Sequence, residues 1–469
     1  MKIKDDNVVD FIRFAFRLII FSIIGVYVLF INPFGISDKT DEATQNAFYR
    51  IISPNYEISA RENIVVVLID SFVIENLHNY SIIGANEWPL LYSDHAYLLS
   101  HISRYSPRAI FVDIYFKKER STDGSFPDFI RKLERLKSKY STQFLFAGGT
   151  DKESFSEMQN SLDSHFGLTV NGWAGHGHDY LLKGDISGKP TVALALYERA
   201  CLSGKPLSGC DKDFLDSTSV HAGDTLSVRW GSTPAPDPLP EFVSPEYVCS
   251  SGSRGSMGMM LVEMGWRFAQ GLFKGLYGSE STELEKCGFH SILYMDDLVL
   301  VNKNGSKGQK EKLAKLLGDN VVIYGMSLKG LDDNFISPVH GKLPGVMLHA
   351  MALDNLMLFG EDYTKGSDDW IDMISIYSWL LMAFCLASGM YGCDRCLLRK
   401  QPDNKDGCYF RVAVFTAILV AVFSLVIFLH LHYAPLNAIG YGVLFFLIFK
   451  LVDSDVINRA ILWFLRKKK

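Results

Sequence analysis

The chain has 469 residues, 48% of them hydrophobic, with a formal net charge of −5 and eight cysteines. That apolar share exceeds the soluble average and points to membrane segments, while the acidic balance excludes a protein held to nucleic acid by a broadly basic surface. The length allows two or three domains.

The first apolar stretch, Phe14 to Ile31, follows Arg13 and contains Arg17, beyond which Leu18 to Ile31 is free of charge. It continues into "NPFGISDK", which lacks a small-x-small cleavage site. An uncleaved anchor is therefore expected, its arginines snorkelling to the inner headgroups.

Residues 64–70, "IVVVLID", form a β-branched apolar run ending in an acid, the pattern of a buried parallel strand. "AIFVDIYF" (109–116), "FLFAGG" (144–149) and "VVIYG" (321–325) repeat it. Between the first two, "PLLYSDHAYLLSHISRYSP" spaces its apolar residues for an amphipathic helix stopped by Pro107. Strand, helix, strand predicts an α/β domain with a mostly parallel sheet. Ligands in such sheets settle at the carboxyl ends of the strands, where Asp70, Asp113, Gly148, Gly149 and Gly325 fall. The same acids could equally cap turns and helices.

Two motifs invite stronger readings. The Gly-rich "GHGH" places His176 and His178 at a zinc-like spacing, but no third ligand accompanies them and a loop is expected. Tyr294-Met295-Asp296-Asp297 matches the Tyr-x-Asp-Asp turn that holds Mg²⁺ in reverse transcriptases, without the accompanying polymerase blocks. It is read as a chance match, a surface hairpin or helix start with solvated carboxylates.

Three further apolar segments close the chain: Met373 to Gly392, Val412 to Leu429, and Leu436 to Phe449 with its flanks. Four transmembrane helices are thus expected. The loop 393–411 holds Arg395, Arg399, Lys400, Lys405 and Arg411, and the tail ends in Lys467 to Lys469, whereas "HLHYAPLN" (430–437) has no Lys or Arg. By the positive-inside rule both termini face the cytoplasm. The expected organisation is 1–31 for the N-terminus and first helix, 32–369 for an extracytoplasmic domain, 370–392 for the second helix, 393–411 for a cytoplasmic loop, 412–451 for the third and fourth helices, and 452–469 for a short cytoplasmic tail. Residues 1–17, 393–411 and 450–469 carry 15 Lys/Arg and 8 Asp/Glu, leaving 32 basic against 44 acidic residues elsewhere, so the outer domain is net acidic.

Cys201, Cys210, Cys249 and Cys287 fall in the outer domain as disulfide candidates, with three pairings open. Cys385, Cys393, Cys396 and Cys408 lie in or below the second helix, where "CDRC" is read as a reduced, membrane-proximal thiol pair.

The run "KGLDDNFISPVHGKLPGVMLHAMALDNLM" (329–357) resembles the closing segment of the second type of CHASE domain, an extracellular sensory module of bacterial cyclases, histidine kinases and related signalling proteins. "VVVLID" with Trp88-Pro89 following it, and "PRAIFVDIYF", resemble earlier blocks of that family; "FGLTVNGWAGHGHDYLL" to "PTVALALYERA" is a looser match. The resemblance also implies one membrane helix before the sensor and three after it. The family's usual cytoplasmic catalytic domain is not recognisable, the chain running about 20 residues past the fourth helix.

The expected function is a bacterial inner-membrane sensor or receptor subunit, multi-pass and without catalytic activity, cofactor or metal. It would take an extracytoplasmic ligand in a cleft bordered by Asp70, Trp88, Asp113, Asp332 and His349. The signal would pass through the bilayer-spanning helices to a separate output protein or a second copy of itself, with no nucleic acid involved. The tail stripe Ile461, Phe464 and Leu465 is the expected docking element. Rival readings are a membrane-perturbing effector of a stress or defence system and an extracytoplasmic metal-dependent hydrolase using Asp70, Asp113 and His349. Alkaline phosphatase fusions at Ser37, Asp403 and Lys469 should be active only at Ser37; activity at Lys469 removes one membrane crossing.

Overall fold

The computed structural model describes residues 3–32, 36–150, 155–173, 178–202, 207, 209–211, 214–215, 220–240, 242, 288–328, 330, 333–366, 369–396, 405–437 and 440–441. The chain divides into two compact units, a sheet unit of Tyr49–Gly366 and a helical unit of Met1–Phe48 with Ser367–Lys469.

The sheet unit is built on six parallel strands in the order β4-β3-β2-β8-β1-β7. These are β1 (Ile64–Ile69), β2 (Ala109–Val112), β3 (Gln143–Ala147), β4 (Leu168–Thr169), β7 (Ser291–Tyr294) and β8 (Val321–Met326). All six residues of β1 and all four of β2 are buried, which is why they read as continuous apolar runs rather than alternating ones. Two antiparallel ribbons stand apart from this sheet: β5 (Asp179–Leu181) with β6 (Thr225–Ser227), and β9 (Asn334–Ser337) with β10 (Gly341–Pro344).

Helices cover both faces. Helix α2 (Ile36–Ile52) precedes β1; between β1 and β2 come α3 (Ser71–Asn79) and α4 (Tyr92–Ser103), and α5 (Phe126–Tyr140) and α6 (Glu157–His165) follow β2 and β3. After β7 run α8 (Met295–Asn304) and α9 (Lys307–Leu317), and α8 packs on α3 and α4 while α4 packs on α5. The opposite face carries α7 (Val192–Leu202) and α10 (Gly345–Phe359), which pack on each other. Thirteen of the fifteen residues of α10 are buried, so this helix is enclosed on all sides. Alternation along β2 separates the faces: Phe111 meets the His349 ring of α10, while Val112 is in register with Tyr324, whose hydroxyl reaches His95 of α4 at 3.1 Å.

The "YMDD" motif falls at the start of α8. Tyr294 ends β7 and Met295 begins the helix, so Asp296 and Asp297 occupy its first turn, where carboxylates suit the helix dipole. The helix start agrees with the sequence reading, but Asp296 is buried rather than solvated and accepts a hydrogen bond from the Asn76 amide at 2.9 Å. Six histidines are also buried. Burial lowers the pKa of His95 to about 3, and those of His101, His178, His340 and His349 to about 4.

In the helical unit, α1 (Ile3–Ile31), α11 (Asp369–Cys396) and α12 (Lys405–Val426) contain three segments long and apolar enough to cross a membrane: Asp10–Val28, Met373–Arg395 and, running past the end of α12, Gly407–Leu431. Three rather than four are found among the described residues, because Leu436–Phe449 lies mostly outside them. Ile19, Ile23, Phe415, Ile418 and Val422 are exposed along these helices, a surface suited to lipid. Gly25 lets α1 and α11 meet closely: a Cβ there would fall 1.5 Å from Trp379 Nε1, which donates to the Phe21 carbonyl at 2.9 Å.

Two sequence expectations change here. Arg17 does not merely snorkel, for it is buried and forms an ion pair with Asp394 at 2.7 Å while donating to Tyr409 Oη at 3.1 Å. Cys393 and Cys408 are joined as a disulfide rather than left as reduced thiols, since the end of α11 and the start of α12 stand close enough to put their Cα atoms 6.1 Å apart. In the sheet unit Cys201 pairs with Cys210; Cys249 and Cys287 lie outside the described residues.

Ile323 lies fully buried in β8 between strands β1 and β2. Ile323→Ala should destabilise the sheet unit by about 2–5 kcal/mol, read as a lowered unfolding midpoint in denaturant.

Candidate functional site

The connectivity creates a crevice at the carboxyl ends of β2 and β8. The chain leaving β2 passes to the α4–α5 face, whereas the chain leaving β8 returns through β9, β10 and α10 on the other face. Adjacent strands whose connections part to opposite faces open a gap above the sheet, the usual ligand position in this architecture.

Asp113, immediately after β2, is fixed by its N–H, which donates to the Tyr324 carbonyl at 2.8 Å. His349 enters the same gap from the second turn of α10, its Nε2 3.9 Å from Asp113 Oδ1. That separation is too long for a direct hydrogen bond. Behind the imidazole, Tyr180 Oη of β5 lies 2.8 Å from Nδ1 and itself accepts the Ala193 N–H at 3.4 Å. The bond to Nδ1 holds the imidazole in place and turns Nε2 to the side of Asp113. Asp333 contributes a second carboxyl: a Cβ on Gly345 would stand 2.4 Å from its Oδ1.

Burial raises the pKa of Asp113 to about 7. Partial burial, followed by the negative field of Asp113, raises that of Asp333 to about 6, opposed by His349. Burial lowers His349 to about 4, against the pull of Asp333. Asp113 and His349 are thus not a charged pair near neutrality; a neutral imidazole faces a carboxyl close to its titration point. Such a site can accept a proton or cation, or hydrogen-bond a polar ligand, with little rearrangement.

The sequence-predicted residues separate into groups. The structure brings Asp113 and His349 together. Asp70 is the N-cap of α3, accepting the Val73 N–H at 2.7 Å. Trp88 packs edge-on against His95 at 5.8 Å, among the α4-face residues on the other side of the sheet from His349. Asp332 and His176 lie outside the described residues. No group of three His, Cys, Asp or Glu side chains among the described residues is placed to hold a metal, and the Asp70, Asp113 and His349 set of the hydrolase reading is therefore not assembled as one.

Sequence reasoning missed Tyr180 and Asp333. Only the adjacency of Asp333 to Asp332 in "LDD" hinted at the latter, and nothing local marks Tyr180, whose role depends on a ribbon distant in sequence. It also left "ALDN" without a role. Asp354 accepts from Tyr56 Oη at 2.7 Å and faces His290 Nε2 at 3.1 Å, while Asn355 exchanges hydrogen bonds with the Arg229 backbone at 2.9 and 3.0 Å. These fully buried groups bind α10 to the segment after Tyr49.

The sequence profile of the CHASE2 domain matches residues 21–385. The chain belongs to this family. CHASE2 domains are extracellular sensory modules, so a sensory role in general follows for this chain, and the apolar helices make it a membrane protein. No curated protein and no solved structure gives a significant match.

The shift of Asp113 sets the sign of a pH effect. The folded state holds a proton on Asp113 between about pH 4 and 7 that the unfolded chain releases, so stability falls as pH rises through that window and the loss is complete above it. Asp113→Asn should therefore stabilise the CHASE2 domain at pH 8 by roughly 1–3 kcal/mol, with the gain vanishing below about pH 4. Paired denaturation curves at the two pH values check this.

Proposed function

We propose that this CHASE2 protein is a sensor subunit of the bacterial inner membrane. Its sheet unit faces the exterior, both termini are cytoplasmic, and it acts without catalysis of its own. An extracytoplasmic ligand or proton enters the crevice of Asp113, Asp333 and His349, and the altered state reaches a separate output protein through the membrane helices.

The observation that carries this reading is the pairing of a carboxyl near its titration point with a buried neutral imidazole at the switch-point crevice. A ligand shifts a conformational equilibrium only by its differential affinity for two states. Changing the charge of Asp113, or occupying Nε2 of His349, alters the field inside a largely buried gap and supplies such a difference.

A photo-crosslinking amino acid at Arg395, exposed near the end of α11, tests this in cells. It should capture a discrete partner whose yield changes at least threefold in both Asp113→Asn and His349→Gln, at matched expression. Yields unchanged in both variants overturn the crevice as the receiving site.

A further inference from the structure

The β5–β6 ribbon has two faces. Tyr180 and Leu226 are register partners, and Tyr180 turns to His349. By the two-residue period of a strand, Asp179, Thr225 and Ser227 point the other way. On that second face Ser227 Oγ lies 2.6 Å from Tyr49 Oη, and the Ser227 N–H donates to the Thr364 carbonyl at 2.8 Å. The Gly366 N–H donates to the Thr225 carbonyl at 2.9 Å. A Cβ on Gly366 would stand 2.6 Å from both Asp179 Oδ1 and Thr225 Oγ1, so the backbone there is pressed directly onto the ribbon. Tyr49 also meets the His178 ring edge-on at 5.5 Å, just ahead of β5.

Tyr49 and Gly366 are the first and last residues of the sheet unit. Both points at which the chain passes to the helical unit are therefore held on one face of a short ribbon, and the other face holds the crevice histidine. Ser227 is fully buried, and a two-stranded ribbon of this length has little stability of its own, so its position is set by these attachments. Tilting it to follow His349 must strain the contacts to Tyr49, Thr364 and Gly366, because packed interiors rearrange between discrete states rather than deform freely.

We propose that the β5–β6 ribbon is the element that relays the state of the crevice to both junctions of the sheet unit, with Tyr180 as its reading contact and Ser227 as its clasp. The proposal rests on the crevice being the receiving site and adds the route by which its state leaves.

Hydrogen exchange on the full chain in lipid nanodiscs tests the relay without a known ligand. Tyr180→Phe keeps the ring and removes its bond to Nδ1. It should accelerate exchange of the Ser227 and Gly366 amides at least fivefold while the β1 amides stay within twofold of wild type. Acceleration at Ala193 with Ser227 and Gly366 unchanged overturns the relay. Should Tyr180→Phe accelerate β1 globally, Asp113→Asn serves as the crevice perturbation under the same criteria. Unchanged crosslinking at Arg395 beside an intact exchange response would sink the sensor reading and leave the relay standing.

Discussion

The insertion of β8 between β1 and β2 is the constraint on which the rest of the sheet unit depends. Because β1 and β2 both pair with β8 in parallel, neither can pair with the other, and the chain must cross over β8's place before that strand exists. The strand arrives last, about 200 residues later, and leaves by the opposite face. That departure opens the gap beside Asp113 and delivers Asp333, the β9–β10 ribbon and α10 with His349. A sheet wound in one direction would place these groups on separate surfaces.

The helix that completes the crevice also completes the core. α10 supplies His349 near its start and Asp354 and Asn355 near its end, and the chain then runs within a few residues to Thr364 and Gly366. Fully buried polar groups are tolerated there only because each is paired: Tyr56 and His290 on Asp354, the Arg229 backbone on Asn355. Such networks fix one register of a helix whose apolar surface is otherwise uniform, and the position of His349 over Asp113 follows from that register.

The strands were legible because burial on both faces leaves an unbroken β-branched run, and Ile64–Ile69 and Ala109–Val112 fall where "IVVVLID" and "AIFVDIYF" placed them. Strand order was not legible, because pairing depends on contacts far apart in the chain. For the same reason Asp113 could be placed at a strand end from local pattern alone, whereas Tyr180 could not be assigned to His349. Trp88 illustrates the opposite error: its nearness in sequence to β1 says nothing about which face of the sheet it joins. The bond between Cys393 and Cys408 was hidden because their separation of 15 residues forms no local motif, and only the packing of α11 on α12 brings them together.

The buried histidines have a consequence for where such a domain can work. Each of His95, His101, His178, His340 and His349 is held neutral by its surroundings, and each would gain a proton on unfolding at a pH where the fold refuses it. Their combined effect erodes stability as the medium drops below the ordinary imidazole range, and the erosion is spread over both faces of the sheet rather than confined to the crevice. A compartment that acidifies strongly would thus dismantle the domain rather than stimulate it, which ties its working life to near-neutral surroundings.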